Sequence, residues 1–209
     1  MKTSLFIIGA GSVGMHIAAN FDDYNRGKYK LEGFLDDDND KQGSEYFSFP
    51  VLGEVTKALD LQNAAIIIGI AFPGIKRKIV HKLSKNKSLI FPYFIHPHSW
   101  ISADVSIGAG AIIYPGTTVN YGADVGDYVV LNMNCAIGHH TEIGAFSSFA
   151  PGVNTGGHTK IGNSVEMGIG ASTLQNVWIG EDAIVGGQSM ITKNVHSGKK
   201  VAGVPVREL

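Results

Sequence analysis

From Ile101 to about Val195 the sequence repeats itself every six residues, and few patterns restrict a fold as tightly. Steps of six from Ile101 reach Ile107, Ile113, Val119, Val125, Leu131, Ile137, Ile143, Phe149, Thr155, Ile161, Met167, Thr173, Ile179, Val185 and Ile191. Only Thr155 and Thr173 are not apolar, and both are β-branched. The following position is often glycine, as at Gly108, Gly126, Gly138 and Gly156, and the fifth is small or β-branched, as at Ala111, Thr117, Cys135 and Ser189. Six residues suffice for one short strand and a corner, and three such units close a triangular coil of about 18 residues. The pattern predicts a parallel β-solenoid in which the large residue fills the interior, the fifth points inward and glycine relieves the turn. No insertion breaks the phase up to Val195, so residues 18 apart are expected to stack at the parallel-strand spacing of roughly 4.8 Å.

The rest of the chain narrows the function class. A net charge of −1 argues against a nucleic-acid or anionic-membrane partner. The longest apolar run, Ala64–Phe72, is too short to span a bilayer, and Leu5–Ile8 runs straight into a glycine motif rather than a signal-peptide cleavage site. A cytoplasmic protein is expected. Cys135 falls at an inward fifth position and reads as a buried small thiol.

Residues 3–8 read as a buried strand, and Gly9-Ala10-Gly11-Ser12-Val13-Gly14 follows it before a helix expected over Val13–Phe21. A G-x-G-x-x-G loop in that setting lets backbone N–H groups and a helix N-terminus approach a phosphate. A second strand, Tyr29–Leu35, ends in Asp36-Asp37-Asp38, whose carboxylates can accept hydrogen bonds from ribose or sugar hydroxyls. Further elements are expected as a strand at Ala64–Ala71, a helix at about Gly74–Lys85 and a strand at Leu89–Ile95. That is one βαβαβ half with no dehydrogenase substrate domain behind it. Residues 1–95 are therefore expected to form a Rossmann-like domain for a nucleotide-bearing substrate rather than a redox cofactor. Residues 96–209 form the solenoid and a C-terminal cap.

His139 and His140 take the third and fourth positions of the hexad at Ile137, near a corner, and His158 should stack one coil from His140. Zinc on the solenoid of γ-type carbonic anhydrases uses a histidine pair about five residues apart with a third roughly two coils away. The repeat has no such pair, so no metal is expected.

Taken together, these motifs resemble the hexapeptide-repeat sugar O- and N-acyltransferases that modify sialic acid or nucleotide-linked amino sugars. The resemblance spans the whole chain. It rests on the glycine loop, Phe34–Asp37, Ile95–Pro97, the run from Leu131 to His139, and Gly203–Pro205. It implies that the solenoid is left-handed, against the usual right-handed crossover, and that acetyl-CoA is the cosubstrate. It further implies a homotrimer with the cofactor in the cleft between neighbouring prisms. Catalytic roles carried over are His139 as general base and Gly157 as the N–H facing the thioester carbonyl. Asn132 lines the same pocket. Gly11, Ser12, Val13, Asp36, Asp37 and Gly69 match the acceptor site, and Ser148, Ile169 and Gly187 match coenzyme A contacts. Two positions depart from the family. His140 stands where an acidic partner of the base is common, and Ser148 where a histidine is; His140 remains a catalytic candidate, either orienting His139 by a hydrogen bond or, in the competing view, acting as the base itself with His158 one coil away. A different acceptor such as an amino acid, and a non-catalytic sugar-nucleotide-binding or assembly role, are the competing readings; an NAD-dependent enzyme is a more distant one.

Overall fold

The computed structural model describes residues 2–25 and 27–209. The chain divides into two compact units, Met1–Phe94 and Ile95–Leu209. Among the described residues no helix is long and apolar enough to cross a membrane.

The first unit is a twisted sheet with helices. Its core strand β1 (Thr3–Ile8) is flanked by β2 (Tyr29–Leu35) on one side, with helices α1 (Ser12–Ala19) and α2 (Phe21–Asn25) in the connection. Past β2 come a hairpin of β3 (Glu45–Tyr46) and β4 (Phe49–Gly53), then β5 (Ala65–Ile68) and helix α3 (Pro73–Leu83). The sheet order is β3-β4-β2-β1-β5, parallel except for β3. Leu5, Ile7, Ile8, Phe34, Leu35 and Ile66–Ile68 are almost wholly buried, as continuous apolar runs in a parallel sheet require. Strand order reverses at β1, so the loops after β1 and β5 open a crevice at their carboxyl ends.

Three expectations for this unit need correcting. The helix after the glycine loop stops at Ala19 and a second short one starts at Phe21, because Asn20 turns its amide back onto the His16 carbonyl (2.9 Å). The strand expected at Leu89–Ile95 is broken: Ile90 makes a single bridge to Ala65, and only Phe94–Ile95 at the end of the span is a strand. The β3–β4 hairpin was not anticipated: its two-residue turn is Phe47-Ser48, both at positive φ, in place of the Asn-Gly that usually marks such a turn.

The second unit is the solenoid. Its first face carries strands at Trp100–Ile101, Thr118–Val119, Ala136–Ile137, Ser172–Thr173 and Met190–Ile191, with Asn154 bridging the middle. The second face runs from Ser106–Ile107 to Trp178–Ile179, and the third from Ile112–Ile113 to Ile184–Val185. All these pairs are parallel. Each inward residue lies over the one 18 positions earlier, as at Val119 over Ile101 and Ile137 over Val119. The interior residues Val125, Leu131, Phe149, Val165 and Ile191 are at most 1% exposed; each such side chain contributes about 1.5–3 kcal/mol by leaving water.

Two details differ from the expectation. The hexad glycine is not the residue that makes the corner. The left-handed conformation falls on the fourth position, at Tyr128, Asn134, His140, Phe146, His158 and Asn176 as well as Gly110 and Gly122. The second-position glycines serve the stacking instead: a Cβ on Gly108 or Gly144 would meet the backbone of the next coil at 2.5 Å. The phase also slips once. Val195 bridges Ile179 and Lys200 pairs with Ile184, each 16 residues apart rather than 18, so the last coil is two residues short. An antiparallel hairpin, Lys200–Gly203 with Val206–Glu208, then covers the end of the third face, which keeps its edge from pairing elsewhere.

Candidate active site

The corner joining the first face to the second gathers three of the solenoid's histidines, His139, His140 and His158. Residues 18 apart form two columns there: Tyr121, His139 and Gly157 at the third hexad position, and Asp104, Gly122, His140 and His158 at the fourth. The Tyr121 ring stacks on His139 (centroids 5.3 Å, 9° between planes), and His140 stacks on His158 (4.7 Å, 11°). The backbone's left-handed turn at His140 and His158 is what aims both side chains off the corner. His139 Nδ1 lies 3.1 Å from His140 Nδ1, a hydrogen bond in which one ring must donate and the other accept. A face of the His139 ring lies on Gly157: a Cβ there would stand 2.5 Å from Nε2, 2.6 Å from Cε1 and 3.0 Å from Cδ2. Glycine is therefore a steric requirement of His139's position. The Gly157 N–H donates to no acceptor among the described residues.

The two apolar exceptions in the repeat lie directly under this corner. Thr155 accepts from the Gly138 N–H (2.9 Å) and Thr173 from the Gly156 N–H (3.0 Å), the peptides just before His139 and Gly157. Thr155 bonds to Thr141 (3.2 Å) and Thr173 to Thr159 (3.0 Å), all four being buried. Buried hydroxyls that are fully paired rigidify what they hold. Sequence reasoning noted the threonines only as β-branched and missed this role. The signal was there: both exceptions fall on one face, one coil apart, beneath the histidines. Tyr121 and Asp104 were missed outright.

The remaining solenoid candidates sit elsewhere. Asn132 accepts from the Met133 N–H (2.8 Å) and, with Ile169 and Gly187, belongs to the corner joining the third face to the first. Ile169 and Gly187 stack one coil apart there, and Ile169 is 59% exposed. Ser148 lies outward on the third face, paired with Val130 and Glu166. One prism thus puts His139, His140 and Gly157 on one edge and Asn132, Ile169 and Gly187 on another. The sequence placed Asn132 in the same pocket as His139; within a single chain they stand at opposite ends of one face. Cys135 is buried, and that burial pushes its thiol up to about 11.

The three histidines bring a nitrogen each within 4.8 Å of one another. An imidazole nitrogen donates in its own ring plane, and the His140 and His158 planes are nearly parallel. Rings 4.7 Å apart and inclined by only 11° have planes that do not meet within metal–ligand distance, so the observed rotamers do not converge on one ion.

In the first unit a cleft of about 330 Å³ opens at the crevice beside β1, lined by Gly11, Ser12, Val13, Asp36, Asp37, Lys41 and Gly69, with Phe72, Ile75 and Ile79 on its apolar side. The glycines of the loop do different things. Gly9 adopts a positive φ of 93°, and Gly14 is pressed so closely on the Gly9 carbonyl that a Cβ would overlap it. Gly69 packs on Gly14 in turn (2.6 Å from a Cβ to the Gly14 Cα). Around Gly11 a Cβ would meet nothing within 4 Å, so nothing inside the chain requires glycine there.

The two acids also differ. Burial alone would raise the Asp36 carboxyl, but the N–H groups of Asp38 and Ala10 (2.9 and 2.7 Å) and the Lys41 ammonium (3.1 Å) outweigh it and hold it below the usual range. Asp36 therefore braces the glycine loop from the cleft wall. Asp37 is exposed and spends one oxygen on the Val55 N–H (2.8 Å).

Residues 4–83 match the family described as the PglD N-terminal domain. No curated protein matches the sequence. Among solved structures, the acetyltransferase domain of PglB from Neisseria gonorrhoeae FA1090, in complex with acetyl coenzyme A, is 27% identical with a TM-score of 0.90, covering all of both chains. WeeI from Acinetobacter baumannii AYE is 26% identical with a TM-score of 0.89, covering 99% of this chain and 100% of that one. PerB from Caulobacter crescentus, in complex with CoA and GDP-perosamine, shares the fold at 22% identity and a TM-score of 0.88, over 99% and 97% of the two chains. The solenoid is accordingly the left-handed parallel β-helix expected from the sequence.

Proposed function

We propose that the chain is a hexapeptide-repeat sugar acyltransferase that transfers the acetyl group of acetyl-CoA to the amino group of a nucleotide-linked amino sugar, with His139 as general base. One observation carries the assignment of the base: His139 is fixed by the hydrogen bond of its Nδ1 with His140 and by Gly157 packed on its ring face beside Nε2, which leaves the in-plane direction of Nε2 without a protein partner among the described residues. When the Nδ1 proton is on His139, Nε2 carries the free lone pair. It takes a proton from the acceptor amine as nitrogen attacks the thioester carbonyl. The tetrahedral oxyanion is met by the Gly157 N–H, and collapse expels the coenzyme A thiolate, which recovers the proton from the His139 imidazolium. General-base help of this kind is worth about 10²–10⁴ in rate, and one oxyanion donor about 10²–10³. No covalent enzyme intermediate is needed, because the two substrates react directly once aligned.

The similar structures support the substrates: the PglB domain is described with acetyl coenzyme A. The cleft beside β1 supports a nucleotide. Gly11 leaves room for a phosphate at the start of α1, Asp37 offers a carboxylate oxygen to a hydroxyl, and Phe72 and Ile75 offer an apolar wall. The division of the solenoid residues between two edges supports a trimer, in which the histidine edge of one copy faces the Asn132–Ile169–Gly187 edge of the next and acetyl-CoA lies between them.

Release of coenzyme A measured against a panel of nucleotide-linked amino sugars tests the proposal. The expected result is turnover that requires the sugar nucleotide, with kcat falling about 10²–10⁴-fold in His139→Ala and acetyl-CoA affinity nearly kept. Wild-type kcat in His139→Ala would overturn the assignment of the base.

A further inference from the structure

The peptide unit between Gly156 and Gly157 carries the Gly157 N–H on one side and the Gly156 carbonyl on the other. It is trans and planar, so the two groups point in opposite directions, and whatever holds the carbonyl aims the N–H. Buried hydroxyls hold the carbonyl. Elsewhere in the solenoid a hydroxyl at the fifth hexad position donates to the carbonyl 15 residues on, as Thr117 does to Asn132 (2.7 Å) and Ser147 to Gly162 (2.9 Å). Thr141 follows that habit weakly, at 3.4 Å from the Gly156 oxygen. Thr159 departs from it. The acceptor that the habit would give it, the Leu174 carbonyl, is 3.3 Å away, whereas the Gly156 carbonyl three residues back is at 2.7 Å. Thr159 has one hydroxyl proton, and the shorter contact takes it. The 3.0 Å contact with Thr173 is then donated by Thr173, whose oxygen accepts in turn from the Gly156 N–H (3.0 Å). These bonds close a ring that starts at the N–H of Gly156 and ends at its carbonyl. Thr159 is wholly buried and Thr173 nearly so, which puts the ring inside the prism and turns the Gly157 N–H out of it.

Resting on the Gly157 N–H as oxyanion donor, we propose that Thr159 is a positioning residue that aims and strengthens that donor from inside the solenoid. Its bond stops the peptide from turning about the flanking single bonds, a freedom that two successive glycines would otherwise have. It also draws electron density onto the Gly156 oxygen, which makes the N–H of the same peptide a better donor. Head-to-tail bonds of this kind reinforce one another by about 10–30% each. A side chain on the outer surface would hold the N–H only by occupying it. Asn120 and Asn132 take the same hexad position as Gly156, and each Oδ1 accepts from the N–H of the next residue (2.8 Å in both). Glycine at 156 leaves the Gly157 N–H open to a substrate, and Thr159 supplies the constraint from behind.

Variants of the full chain test this with two readouts, steady-state kinetics and the nitrogen-15 shift of the Gly157 amide. Thr159→Val keeps the shape of the side chain and removes its hydroxyl. It should lower kcat about 5- to 30-fold, a part of the about 10²–10³ that loss of a whole oxyanion donor costs, with KM for both substrates within about twofold. The Gly157 amide nitrogen should move upfield. Thr159→Ser restores the hydroxyl and should return both readouts most of the way to wild type. Ser147→Ala removes a buried hydroxyl of the same hexad position at another corner, and should lower the melting temperature without changing kcat. Thr159→Ala replaces the valine variant if that one does not fold. An unmoved Gly157 shift overturns the proposal, because the ring then does not hold the peptide. A moved shift with wild-type kcat also overturns it, and places the fault with Gly157 as oxyanion donor. So does a Thr159→Ser variant as slow as Thr159→Val, or a Ser147→Ala variant slowed alike, since either shows packing rather than the hydroxyl bond at work.

Discussion

Gly157→Ala separates catalysis from folding more cleanly than removal of the histidine does. An added Cβ stands 2.5 Å from His139 Nε2 and 2.6 Å from Cε1, whereas ordinary contact begins at 3.4 Å. The ring must therefore retreat by about 0.9 Å. It can, because it is the end of a side chain, but the stacked Tyr121 ring one coil away limits where it goes. Gly157 is not among the positive-φ residues, so alanine suits its backbone. The loss of chain freedom in the unfolded state should even favour folding by about 0.4–1 kcal/mol. A misplacement near 1 Å at a reacting group costs on the order of 10²-fold. The expected outcome is a melting temperature equal to or slightly above that of the wild type, with kcat about 10² lower and the KM for acetyl-CoA almost unchanged. Coenzyme A release and a thermal melt are the two assays. Wild-type kcat in a folded Gly157→Ala protein would refute the claim that His139 acts from the position observed.

Other outcomes follow from the same geometry. Gly11→Ala, with open space around its Cβ, should leave the melt unchanged and raise the KM of the sugar nucleotide. Gly14→Ala forces a Cβ into the Gly9 carbonyl and should cost about 3 kcal/mol or more in denaturant unfolding. Asp36 has a depressed folded-state pKa, so its contribution to stability is present above the unfolded carboxylate value near 4 and is lost as pH falls through the lower folded value; Asp36→Asn should flatten that acid limb in pH-dependent melts. Cys135, buried and pushed up to about 11, should resist iodoacetamide at neutral pH until the protein is unfolded. If neighbouring copies share each site, mixing His139→Ala with Ile169→Asp chains, each inactive alone, should restore about a quarter of the wild-type sites on random reassembly; no restoration would argue for sites built within one chain.

The solenoid was legible because its period is enforced at every coil: an inward residue stacks on its equivalent 18 earlier, so one phase serves sixteen hexads. The phase slip after Ile191 was not, since Val195 fits the repeat as a fifth-position residue and only the pairing with Ile179 reveals the shorter coil. The β3–β4 hairpin escaped because Phe47-Ser48 has none of the residues that tolerate positive φ most easily, and Pro50 argues against a strand. At the site, the stacking of His140 on His158 followed from the period alone. What a single sequence could not supply was the lateral dimension. Nothing in the spacing says that the His139 and His140 rings meet through their Nδ1 atoms.

The most direct test of the account is the identity of the product. Mass spectrometry and proton NMR of a nucleotide-linked amino sugar incubated with acetyl-CoA and the protein should show one acetyl group per coenzyme A released, joined to the sugar nitrogen as an amide. The same incubation with His139→Ala should leave the amine almost unmodified. Coenzyme A release without an acetylated sugar, or an acetyl group found on a hydroxyl, would contradict it.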